Sequence, residues 1–566
     1  MDSPEPRYRW RVRRQPDLDP AFLVAGEARG LSRRMLGVLA ARGHDSASAL
    51  SAFLGLPQDG LHDPRLLPDA AAFATRVDLA RERGEKVLVF GDFDADGVTG
   101  LAILVHALRD IGLDVLPYVP DRGAEGHGLS RAAIGRARDD GRTLIITVDC
   151  GTSSAAEIEL AGQSGIDVLV TDHHRLTSEV PPAVAVVNPQ RPDSRYPDDR
   201  LAGSGVAFKL AQLLVGDGAL QLADLAAIGT VADVATIAGE NRAIVRLGLD
   251  LLRSRPRPGL AALMERAGVR RETVDPEALA YSIVPRLNAV GRVAHGDDAA
   301  QLLLIDDHER AGQLAERLEA ANGLRRELMA TALAEARALA DEQAGGPLTI
   351  VAGDWPVGIV GLVAGRLADE RGCPAVVFST TTEPWRGSAR SAAGFDLAAA
   401  FSGLAELFER FGGHAAAAGC HLPSGNYDEF RRRLAAAANG LEPAAPELLL
   451  DLIVPAPDAD YGLLRELQAL EPAGIGNPIP LVGIYGLGVS RVRPARGGHT
   501  QLVLRKGREV LDAICFGRDD LPASVREGDQ LDVVARLVSR TFGGFESLQL
   551  EIRDLAAAGT LRALPA

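Results

Sequence analysis

The chain has 566 residues, and at about 100–200 residues per domain this length predicts three or four domains. Hydrophobic residues make up 46% and charged residues 24%, which are ordinary values for a chain that buries large cores. The net charge of −15 argues against broad, non-specific adhesion to nucleic acid, so any contact with DNA or RNA must come from local basic groups.

Cysteine usage and hydropathy bear on the compartment. The four cysteines are scattered without a C-x-x-C pair, which argues against structural zinc and against a disulfide framework. No apolar run approaches the ~20 residues that a membrane helix needs. The N-terminal segment MDSPEPRYRWRVRRQP is basic with no apolar run behind it. We therefore expect a cytoplasmic protein that makes no membrane contact.

The predicted elements begin with an N-terminal helical extension over residues 1–70. From Glu85, short β-rich runs alternate with amphipathic stretches of helical length; the runs are KVLVF, DVLPYV, TLIITV, DVLVT and AVAVVN. Such alternation predicts βαβ units and a mostly parallel sheet. This first α/β domain covers residues 71–307, and its later part, from 203 to 305, is predicted to be mainly helical.

A single long helix is predicted over residues 308–343 as a rigid connector. Its apolar residues recur at helical spacing, at Leu314, Leu318, Ala321, Leu324, Leu328, Ala332 and Ala336. A smaller α/β unit follows over residues 344–441. After a Pro/Ala-rich linker, the β-like segments of residues 448–566 predict a small all-β barrel or sandwich.

Acidic and histidine residues follow three strands of the predicted parallel sheet. GDFDADG comes directly after KVLVF, Asp149 ends the next strand in IITVDCG, and DHH (172–174) follows DVLVT. Asp233 in IGTVADVA is a fourth candidate, in the helical region. Ligands of open α/β sheets bind beyond the carboxyl ends of the strands. Carboxylates and imidazoles there suit divalent ions such as Mg²⁺ or Mn²⁺.

Three other interpretations of GDFDADG are a calcium-binding loop, a phosphatase motif and a set of turn or cap residues. A calcium-binding EF-hand would need a glutamate where this chain has Ile103, and a helix in place of the flanking strand. A haloacid-dehalogenase-type phosphatase with Asp94 as nucleophile passes the local test but leaves DHH unexplained. Turn or cap residues account well for any single aspartate, such as Asp149, but poorly for all the clusters together.

These motifs carry a resemblance. GDFDADG, VDCG, DHH and GTVADV resemble the successive signatures of the DHH phosphoesterase superfamily. PRLNAVGR (285–292), WPVGIVGLVAGRL (355–367), GSARS (387–391), FGGHAAAAG (411–419) and EPAGIGNPIP (471–480) are similar to the later part of the bacterial RecJ-type exonucleases. The resemblance runs in order from about residue 70 to the end. It implies a parallel-sheet DHH domain, a long helix, a smaller DHHA1-like α/β domain and a C-terminal OB-like barrel.

The resemblance also implies an activity, namely 5′-to-3′ exonuclease cleavage of single-stranded DNA in repair and recombination, by a two-metal mechanism with Mn²⁺ or Mg²⁺. It identifies as metal ligands Asp94, Asp96, Asp149, His173 and Asp233, with Asp92 as an extra acid. It assigns His174 to face the phosphate, and it places Arg286, Asn288 and His414 around the scissile phosphate. Asp149 is a plausible bridge between two ions, because one carboxylate can ligate both.

DNA-binding residues are expected in two places. By resemblance, Arg122, Ser388 and Arg390 form the pocket for a 5′-terminal phosphate. In the C-terminal domain, a local excess of base, interleaved with Tyr485 and Phe516, is typical of a single-strand groove, although a solvated basic face is equally compatible with charge alone. That excess comprises Arg491, Arg493, Arg496, Arg505, Lys506, Arg508 and Arg518.

Two departures from the family pattern are visible. Many relatives carry a metal-binding histidine where this chain has Phe90, so one metal site is expected to have one fewer protein ligand. The usual histidine after Trp355 is replaced by Pro356.

Two alternatives stay open at this point. They are a DHH-family phosphodiesterase or pyrophosphatase for small nucleotides, and a non-catalytic relative that only binds single strands. The expected partners are single-stranded DNA, a single-strand-binding protein and a helicase, and the expected state is a monomer.

Overall fold

The computed structural model describes residues 5–122, 125–176, 179–293, 297–343, 346–392, 394–441, 446–507, 509–542 and 545–564. Contacts between residues divide the chain into two compact units. The first consists of Met1–Leu61, Thr236–Ala243 and Ala445–Ala566, and the second of His62–Ala235 and Ile244–Ala444. The N-terminal elements of the first unit are β1 (Arg9–Val12), α1 (Pro20–Glu27), α2 (Arg33–Ala41) and α3 (Ala47–Leu54).

The second unit begins with a five-stranded sheet in the order β3-β2-β4-β5-β6, and every pairing in it is parallel. Helices cover both faces, which is why the central strands are almost wholly apolar. This confirms the predicted parallel sheet. Its elements are α4 (Ala70–Arg83), β2 (Lys86–Gly91), α5 (Ala95–Asp110), β3 (Asp114–Tyr118), α6 (Arg131–Asp139), β4 (Leu144–Val148), α7 (Ala155–Gln163), β5 (Asp167–Thr171) and β6 (Ala185–Val187).

A helical region follows the sheet, as predicted. It contains α8 (Gly203–Val215), α9 (Ala223–Ala232), α10 (Gly239–Ser254), α11 (Pro258–Arg266), α12 (Pro276–Ala278), α13 (Val284–Val293) and α14 (Asp297–Leu304), with a π-helical turn at Leu279–Ile283. The run Gly203–Ala232 is long and apolar enough to match a membrane span by length and composition alone, so the expectation that no run reaches this length was wrong. Helices α8 and α9 pack against α5, and this burial explains their apolar composition.

The predicted connector is one helix, α15 (His308–Asp341). Its buried residues fall into an N-terminal set, including Leu314 and Leu318, and a C-terminal set, including Ala332 and Ala336. Leu324, in the middle of the predicted apolar stripe, is instead 46% exposed. The helix thus packs at each end against a different core, and Leu324 in its middle belongs to neither.

The smaller α/β domain contains a five-stranded sheet in the order β10-β11-β9-β8-β7. Only β7 and β8 run parallel; the other pairings are antiparallel. One face packs on α16 and the C-terminal half of α15, and the other on α17 and α18. Its elements are β7 (Thr349–Gly353), α16 (Val357–Arg371), β8 (Ala375–Ser379), β9 (Trp385–Arg390), α17 (Leu397–Ser402), β10 (Arg410–Gly413), β11 (Ala417–Leu422) and α18 (Tyr427–Ala437).

The C-terminal elements of the first unit form a closed barrel. They are β12 (Glu447–Leu450), β13 (Leu452–Pro455), α19 (Tyr461–Gln468), β14 (Val482–Ala495), β15 (His499–Lys506), β16 (Glu509–Cys515), α20 (Leu521–Ser524), β17 (Gln530–Phe542) and β18 (Phe545–Ala557). Strands β14-β15-β16-β18-β17 pair in series, and β17 pairs again with β14, which closes a five-stranded ring and confirms the OB-like barrel. Buried residues of α1–α3, including Phe22, Met35 and Leu50, share one core with the barrel.

The N-terminal basic segment contains a paired strand. β1 pairs in parallel with β12. The indole Nε1 of Trp10 donates to Asp554 over 2.8 Å, and the backbone N–H groups of Arg7 and Tyr8 donate to the same carboxylate. Asp554 is completely buried, so these donors and the nearby Arg518 supply the polar partners that its charge requires.

Asp554→Ala is expected to lower the free energy of unfolding of the barrel unit by about 2–4 kcal/mol, because it leaves three N–H donors without their acceptor. Urea unfolding followed by tryptophan fluorescence measures this. Asp512→Ala, at an exposed position on β16, is the matched control. Equal urea midpoints for the two variants would contradict the structural role of Asp554.

Candidate metal centre and the adjoining cleft

Three neighbouring strands of the parallel sheet deliver the acidic residues to one place. The strands β2, β4 and β5 lie side by side, so the loops after their carboxyl ends meet at one edge. These loops carry Asp92, Asp94 and Asp96, then Asp149, and then the DHH residues 172–174. Asp233, at the C-terminal end of α9, joins them.

Ligand atoms fall into three groups, within each of which all atoms lie within 4.8 Å of one another. The groups are Asp92–Asp94–Asp149, Asp149–His173–His174 and Asp96–His173–Asp233. Asp149 and His173 each belong to two groups, and their Oδ1 and Nε2 atoms are 3.0 Å apart. The structure therefore brings together all six residues that the sequence predicted as ligands, in a continuous cluster.

The donor set fits divalent cations. Asp92 Oδ1, Asp149 Oδ1 and His173 Nε2 are buried and form no hydrogen bond of normal geometry within the part of the chain that the structure describes, although the last two atoms lie 3.0 Å apart. Buried polar atoms of native proteins are almost always paired, so three orphans in one cluster need a partner. Carboxylate oxygen and imidazole nitrogen are ligands for Mg²⁺ and Mn²⁺, and we therefore identify the cluster as a candidate metal centre.

Crowding of like charges changes the protonation of these carboxyl groups. Burial, with Asp96 and Asp94 nearby, raises the pKa of Asp149 well above its usual range. Burial and the charges of Asp92 and Asp96 raise the pKa of Asp94 to about 6. Burial and Asp96 raise the pKa of Asp233 to about 7. A cation at the centre would favour the charged forms of all three.

The main chain is shaped around Asp149 and Asp96. Asp149 has a φ of 61°, in the left-handed region that non-glycine residues rarely adopt. A Cβ at Gly203 would lie 2.6 Å from the Cβ of Asp149, so only glycine lets α8 begin here. Asp96 accepts hydrogen bonds from the N–H groups of Gly203 (2.7 Å) and Ser204 (3.0 Å), at the positive end of α8. The glycines of GSG (203–205) were not singled out in the sequence.

The turn after β2 is held from two sides. Asp94 is the N-cap of α5, and its Oδ1 accepts from the N–H groups of Asp96 and Gly97. The Oδ1 of Asn288 accepts from the N–H of Ala95 over 2.7 Å. Asn288, expected at the scissile phosphate, therefore also fixes the turn that carries the acids. Asp94 can therefore act as the cap of α5 and as a proposed metal ligand at the same time.

Asp172 organises the DHH turn. Its buried carboxylate accepts hydrogen bonds from the backbone N–H groups of His173, His174 and Thr152, and from Nδ1 of His174 over 2.7 Å. Despite burial, these bonds and the His174 charge lower the pKa of Asp172 to about 2. The bond to Asp172 raises the pKa of His174 to about 9, so His174 is cationic at neutral pH. Sequence reasoning did not assign Asp172 this positioning role, although the residue is part of the motif.

Arg286 and His414 lie apart from this cluster. Arg286 pairs through Nε with Glu319 of α15 and donates to the carbonyl of Ser282 over 2.5 Å. His414 is exposed on the hairpin between β10 and β11, where its backbone N–H donates to the carbonyl of Ala417. In the described segments of the chain, neither makes a polar contact with the aspartates of the candidate metal centre.

Phe90 is a core residue. Its side chain is completely buried beneath the sheet edge and stacks on Tyr118, with ring centroids 5.7 Å apart. A phenyl ring offers no ligand atom, and the expectation that one metal site has one fewer protein ligand stays a prediction. Trp355 is likewise buried, and its Nε1 donates to Glu335.

A cleft of about 810 Å³ adjoins the acidic cluster within the second unit. Its lining contains Arg122, Ser388 and Arg390, which the resemblance assigned to one pocket, together with Arg292, Arg386 and Arg410, and no aspartate or glutamate is among the lining residues that the structure describes. Arg390 donates to Ser388 Oγ over 3.2 Å. Arg122 lies over the ring of Phe93, 4.8 Å from its centroid, so it reaches the loop that carries the acids.

Arg292 was missed in the sequence, although it is the last residue of PRLNAVGR. It donates to the carbonyl of Gly358 over 2.9 Å. Burial, followed by the charges of Arg122 and Arg325, lowers the pKa of Arg292 to about 10. Mutual repulsion among these arginines means that the cleft favours an anion.

The predicted basic residues of the barrel divide into exposed and buried sets. Arg491, Arg493 and Arg505 are exposed on the β14–β15 ribbon. Lys506 is buried instead: its Nζ donates to the carbonyl of Ala459 and pairs with Glu509 at 3.0 Å, so it supports the barrel. Arg518 is also buried. Arg508 lies outside the described residues.

The two aromatic residues of the predicted groove also differ. Phe516 is 50% exposed and contacts the ring of His499, with centroids 5.1 Å apart. Tyr485 is half-buried beneath Arg562, which lies 4.6 Å from its ring centroid, so it offers no open stacking face.

Comparisons with known proteins agree with this architecture. The profile of the DHH family, N-terminal domain, matches residues 86–230, the DHHA1 domain matches 345–440, and the RecJ OB domain matches 450–554. The chain is 33% identical to the single-stranded-DNA-specific exonuclease RecJ of Bacillus subtilis, over 98% of this chain and 71% of that protein. It is 34% identical to the RecJ of Thermus thermophilus, over 97% of this chain and 79% of that protein.

Solved structures show the same relationship. The crystal structure of Thermus thermophilus RecJ in complex with Mn²⁺ matches with a TM-score of 0.81 and 29% identity, over 97% of this chain and 79% of that one. The structure of the same protein with Mg²⁺ matches with a TM-score of 0.75 and 28% identity, over 99% and 80% of the two chains. Three family profiles in the expected order, and relatives a third identical over nearly the whole length, show that this chain belongs to the RecJ family of DHH proteins.

Proposed function

We propose that this chain is a metal-dependent exonuclease that degrades single-stranded DNA from the 5′ end. The observation that carries the proposal is the juxtaposition of two oppositely charged surfaces in one unit. A cluster of carboxylates and histidines with unsatisfied buried atoms adjoins a cleft whose described lining has five arginines and no acid. The relatives' names, single-stranded-DNA-specific exonuclease RecJ, support the assignment of the substrate.

Two divalent ions, Mn²⁺ or Mg²⁺, are proposed for the acidic cluster, where they would lower the pKa of a bound water and neutralise charge that develops on the phosphate. The residues that would hold them are Asp92, Asp94, Asp96, Asp149, His173 and Asp233. Asp149 and His173 are shared between ligand groups, which supports two adjacent positions with Asp149 between them.

His174 is proposed to stabilise negative charge on the phosphate oxygens. Its Nδ1 donates to Asp172, which raises the pKa of the ring to about 9, and the protonated ring carries its remaining N–H at Nε2. A charged donor held in place by a buried carboxylate is well suited to developing charge. Asn288 fixes the turn that bears Asp94 and Asp96. The direct phosphate contacts of Arg286, Asn288 and His414, implied by the resemblance, stay predictions.

Polarity is proposed to come from the cleft. Arg122, Ser388 and Arg390 provide donors for a terminal phosphate, which carries more negative charge than an internal phosphodiester and therefore binds best to clustered guanidinium groups. Arg491, Arg493 and Arg505 on the barrel ribbon are proposed to contact the phosphates of a longer strand. The barrel favours a polymeric substrate over the small nucleotides of the alternative reading.

The proposed activity predicts that end-labelled single-stranded DNA is degraded with Mn²⁺ or Mg²⁺ and is not degraded in EDTA. Asp149→Ala is expected to reduce the rate more than 100-fold, since loss of a ligand costs more than the roughly 10–100-fold effect of disturbing its supporting residues. Asp149→Asn keeps the backbone conformation and tests for misfolding. Asp110→Asn, exposed on α5, is the control. Metal-independent cleavage, or full activity of Asp149→Ala, would contradict the mechanism.

The metal-free protein is expected to lose stability as the pH rises from about 4 to 8. Asp94 and Asp233 have pKa values of about 6 and about 7 in the fold, against 3.8 as model carboxyl groups, so the folded state binds more protons in this window. Their favourable contribution is complete below about pH 4 and is lost as the pH rises through 6 and 7.

Melting curves in EDTA measure this effect. The contribution of Asp233 is expected to be about 1–2 kcal/mol after solvent screening, or about 2–4 °C in Tm, and Asp233→Asn should flatten the slope. Saturating Mn²⁺ should raise Tm most at high pH. Asp110→Asn should keep the wild-type slope. A Tm in EDTA that rises between pH 6 and pH 8 would overturn the argument.

Arg390→Ala is expected to slow degradation of 5′-phosphorylated strands by about 10–100-fold, the effect of losing one charge-assisted hydrogen bond, and to affect 5′-hydroxyl strands less. Initial rates on the two substrates measure the difference. Arg366→Ala, exposed on α16, is the matched control. Equal losses on both substrates would argue against a 5′-phosphate pocket at Arg390.

A further inference from the structure

A second cationic cluster lies in the same cleft, away from Arg390. It consists of Arg386 on β9, His421 on β11 and Arg410 on β10, which are direct cross-strand neighbours by register. The Nη1 of Arg386 lies 2.5 Å from Nε2 of His421. We call these three residues the distal row, and Arg122, Ser388 and Arg390 the proximal pocket.

Strand alternation explains why the distal row faces the cleft. Ala389 and Cys420 point into the core formed with α17 and α18, so Arg386 and His421, at alternate positions, point to the opposite face. On that face α16 packs on β7 and β8 through Val351, Ala375 and Val377, and it also reaches β9, where a Cβ at Gly361 would lie 3.0 Å from Ser388 Oγ. The ends of β9, β11 and β10 that carry Arg386, His421 and Arg410 line the cleft.

A row of small residues on the sheet lies between the distal row and Arg390 of the proximal pocket. Arg386 precedes Arg390 by four residues on one strand, which corresponds to about 13 Å. Between them, Ser388, Gly419 and Gly412 form one cross-strand row. A Cβ at Gly412 would meet nothing within 4 Å, and at Gly419 only a carbonyl oxygen at 3.8 Å. These glycines are not needed for close packing. Their effect is to keep the cleft surface between Arg386 and Arg390 free of side chains.

Positive charge predominates along this surface. Neither Arg386 nor Arg410 forms an ion pair with a carboxylate in the described part of the chain, the cleft lining described there contains no acid, and Glu409 is the one carboxylate whose charge is found to act on His421. Burial and the two adjacent guanidinium groups lower the pKa of His421, so the row carries its positive charge on the arginines, with the imidazole as an acceptor between them. Two unpaired guanidinium groups on one strand row form a phosphate-binding surface.

We propose that the distal row is a second seat for the 5′-terminal phosphate of a single strand, so that the cleft holds the strand in two registers. This inference rests on the proposed exonuclease function. In the distal register the proximal pocket holds an internal phosphodiester. In both registers one water hydrolyses one phosphodiester bond at the same acidic cluster. Only the number of nucleotides between the seated phosphate and the cleaved bond changes.

The two registers predict products of two length classes. The separation of about 13 Å corresponds to at most about four nucleotides at 3.4 Å each, and to fewer when the strand is extended. Fragments from the distal register are therefore longer, by about two to four nucleotides, than those from the proximal register. Removal of the distal charges should leave only the shorter class.

The test uses 5′-³²P-labelled single strands and the full-length protein with Mn²⁺, and resolves the first labelled product on denaturing gels. Wild type is expected to release both length classes. The double variant Arg386→Gln/Arg410→Gln is expected to lower the longer fraction at least fivefold. Gly412→Leu, which adds a side chain to the row of small residues without removing charge, is expected to do the same. Arg366→Gln, exposed on α16, should keep the wild-type distribution.

A binding measurement gives a second readout. In the Asp149→Asn background, the double variant should bind 5′-phosphorylated strands with a salt dependence whose slope is lower by up to about two, one for each phosphate-contacting arginine. A single product length in wild type, or unchanged product lengths and an unchanged slope in both variants, would overturn the distal seat while leaving the exonuclease proposal standing. Absence of any cleavage with metal would contradict the exonuclease proposal itself.

Discussion

Repulsion between carboxylates at the ends of three neighbouring strands is the constraint on which the catalytic half of this protein depends. Asp92, Asp94, Asp96 and Asp149 converge because the parallel sheet points every strand end to the same edge. The raised pKa values of Asp94 and Asp149 show that the fold alone does not balance the charge of the cluster. Three features of the fold support this arrangement: the N–H groups at the start of α8, the side-chain Oδ1 of Asn288 and a left-handed backbone conformation at Asp149.

In the arginine-lined cleft of the same unit, the like charges that lie close together are positive. Guanidinium groups in the cleft are held by carbonyl and hydroxyl oxygens, such as those of Gly358 and Ser388, and not by carboxylates. Such partners fix the position of an arginine without cancelling its charge. The molecule therefore keeps positive charge concentrated at one surface in a chain whose net charge is −15. Net charge described the chain as a whole and could not reveal this separation.

Much of the fold and the acidic site could be predicted from the sequence. Apolar strand patterns followed by acids at fixed offsets are local signals, and they pointed to the clusters at the three strand ends, whereas Asp233 lies in the helical region and was assigned as a ligand by resemblance. The roles of Asn288 and Asp172 were harder to foresee, because they depend on hydrogen bonds formed after distant or adjacent segments fold together. Lys506 shows the limit for charge patterns, since a basic residue between exposed neighbours is buried by alternation along β15. The distal row could not be predicted, because its residues meet only through the register of three strands.

The strand β1 has a consequence for the order in which the chain folds during synthesis. Its partner β12 and the carboxylate of Asp554 lie more than 430 residues further along the chain. The apolar faces of α1–α3 belong to the barrel core, so Phe22 and Met35 have no native partners until the barrel strands have been made. During translation, the segment α1–α3 therefore emerges long before the strands that complete its core. Its exposed apolar surface makes it the natural point for chaperone contact or for misassembly with a neighbouring nascent chain.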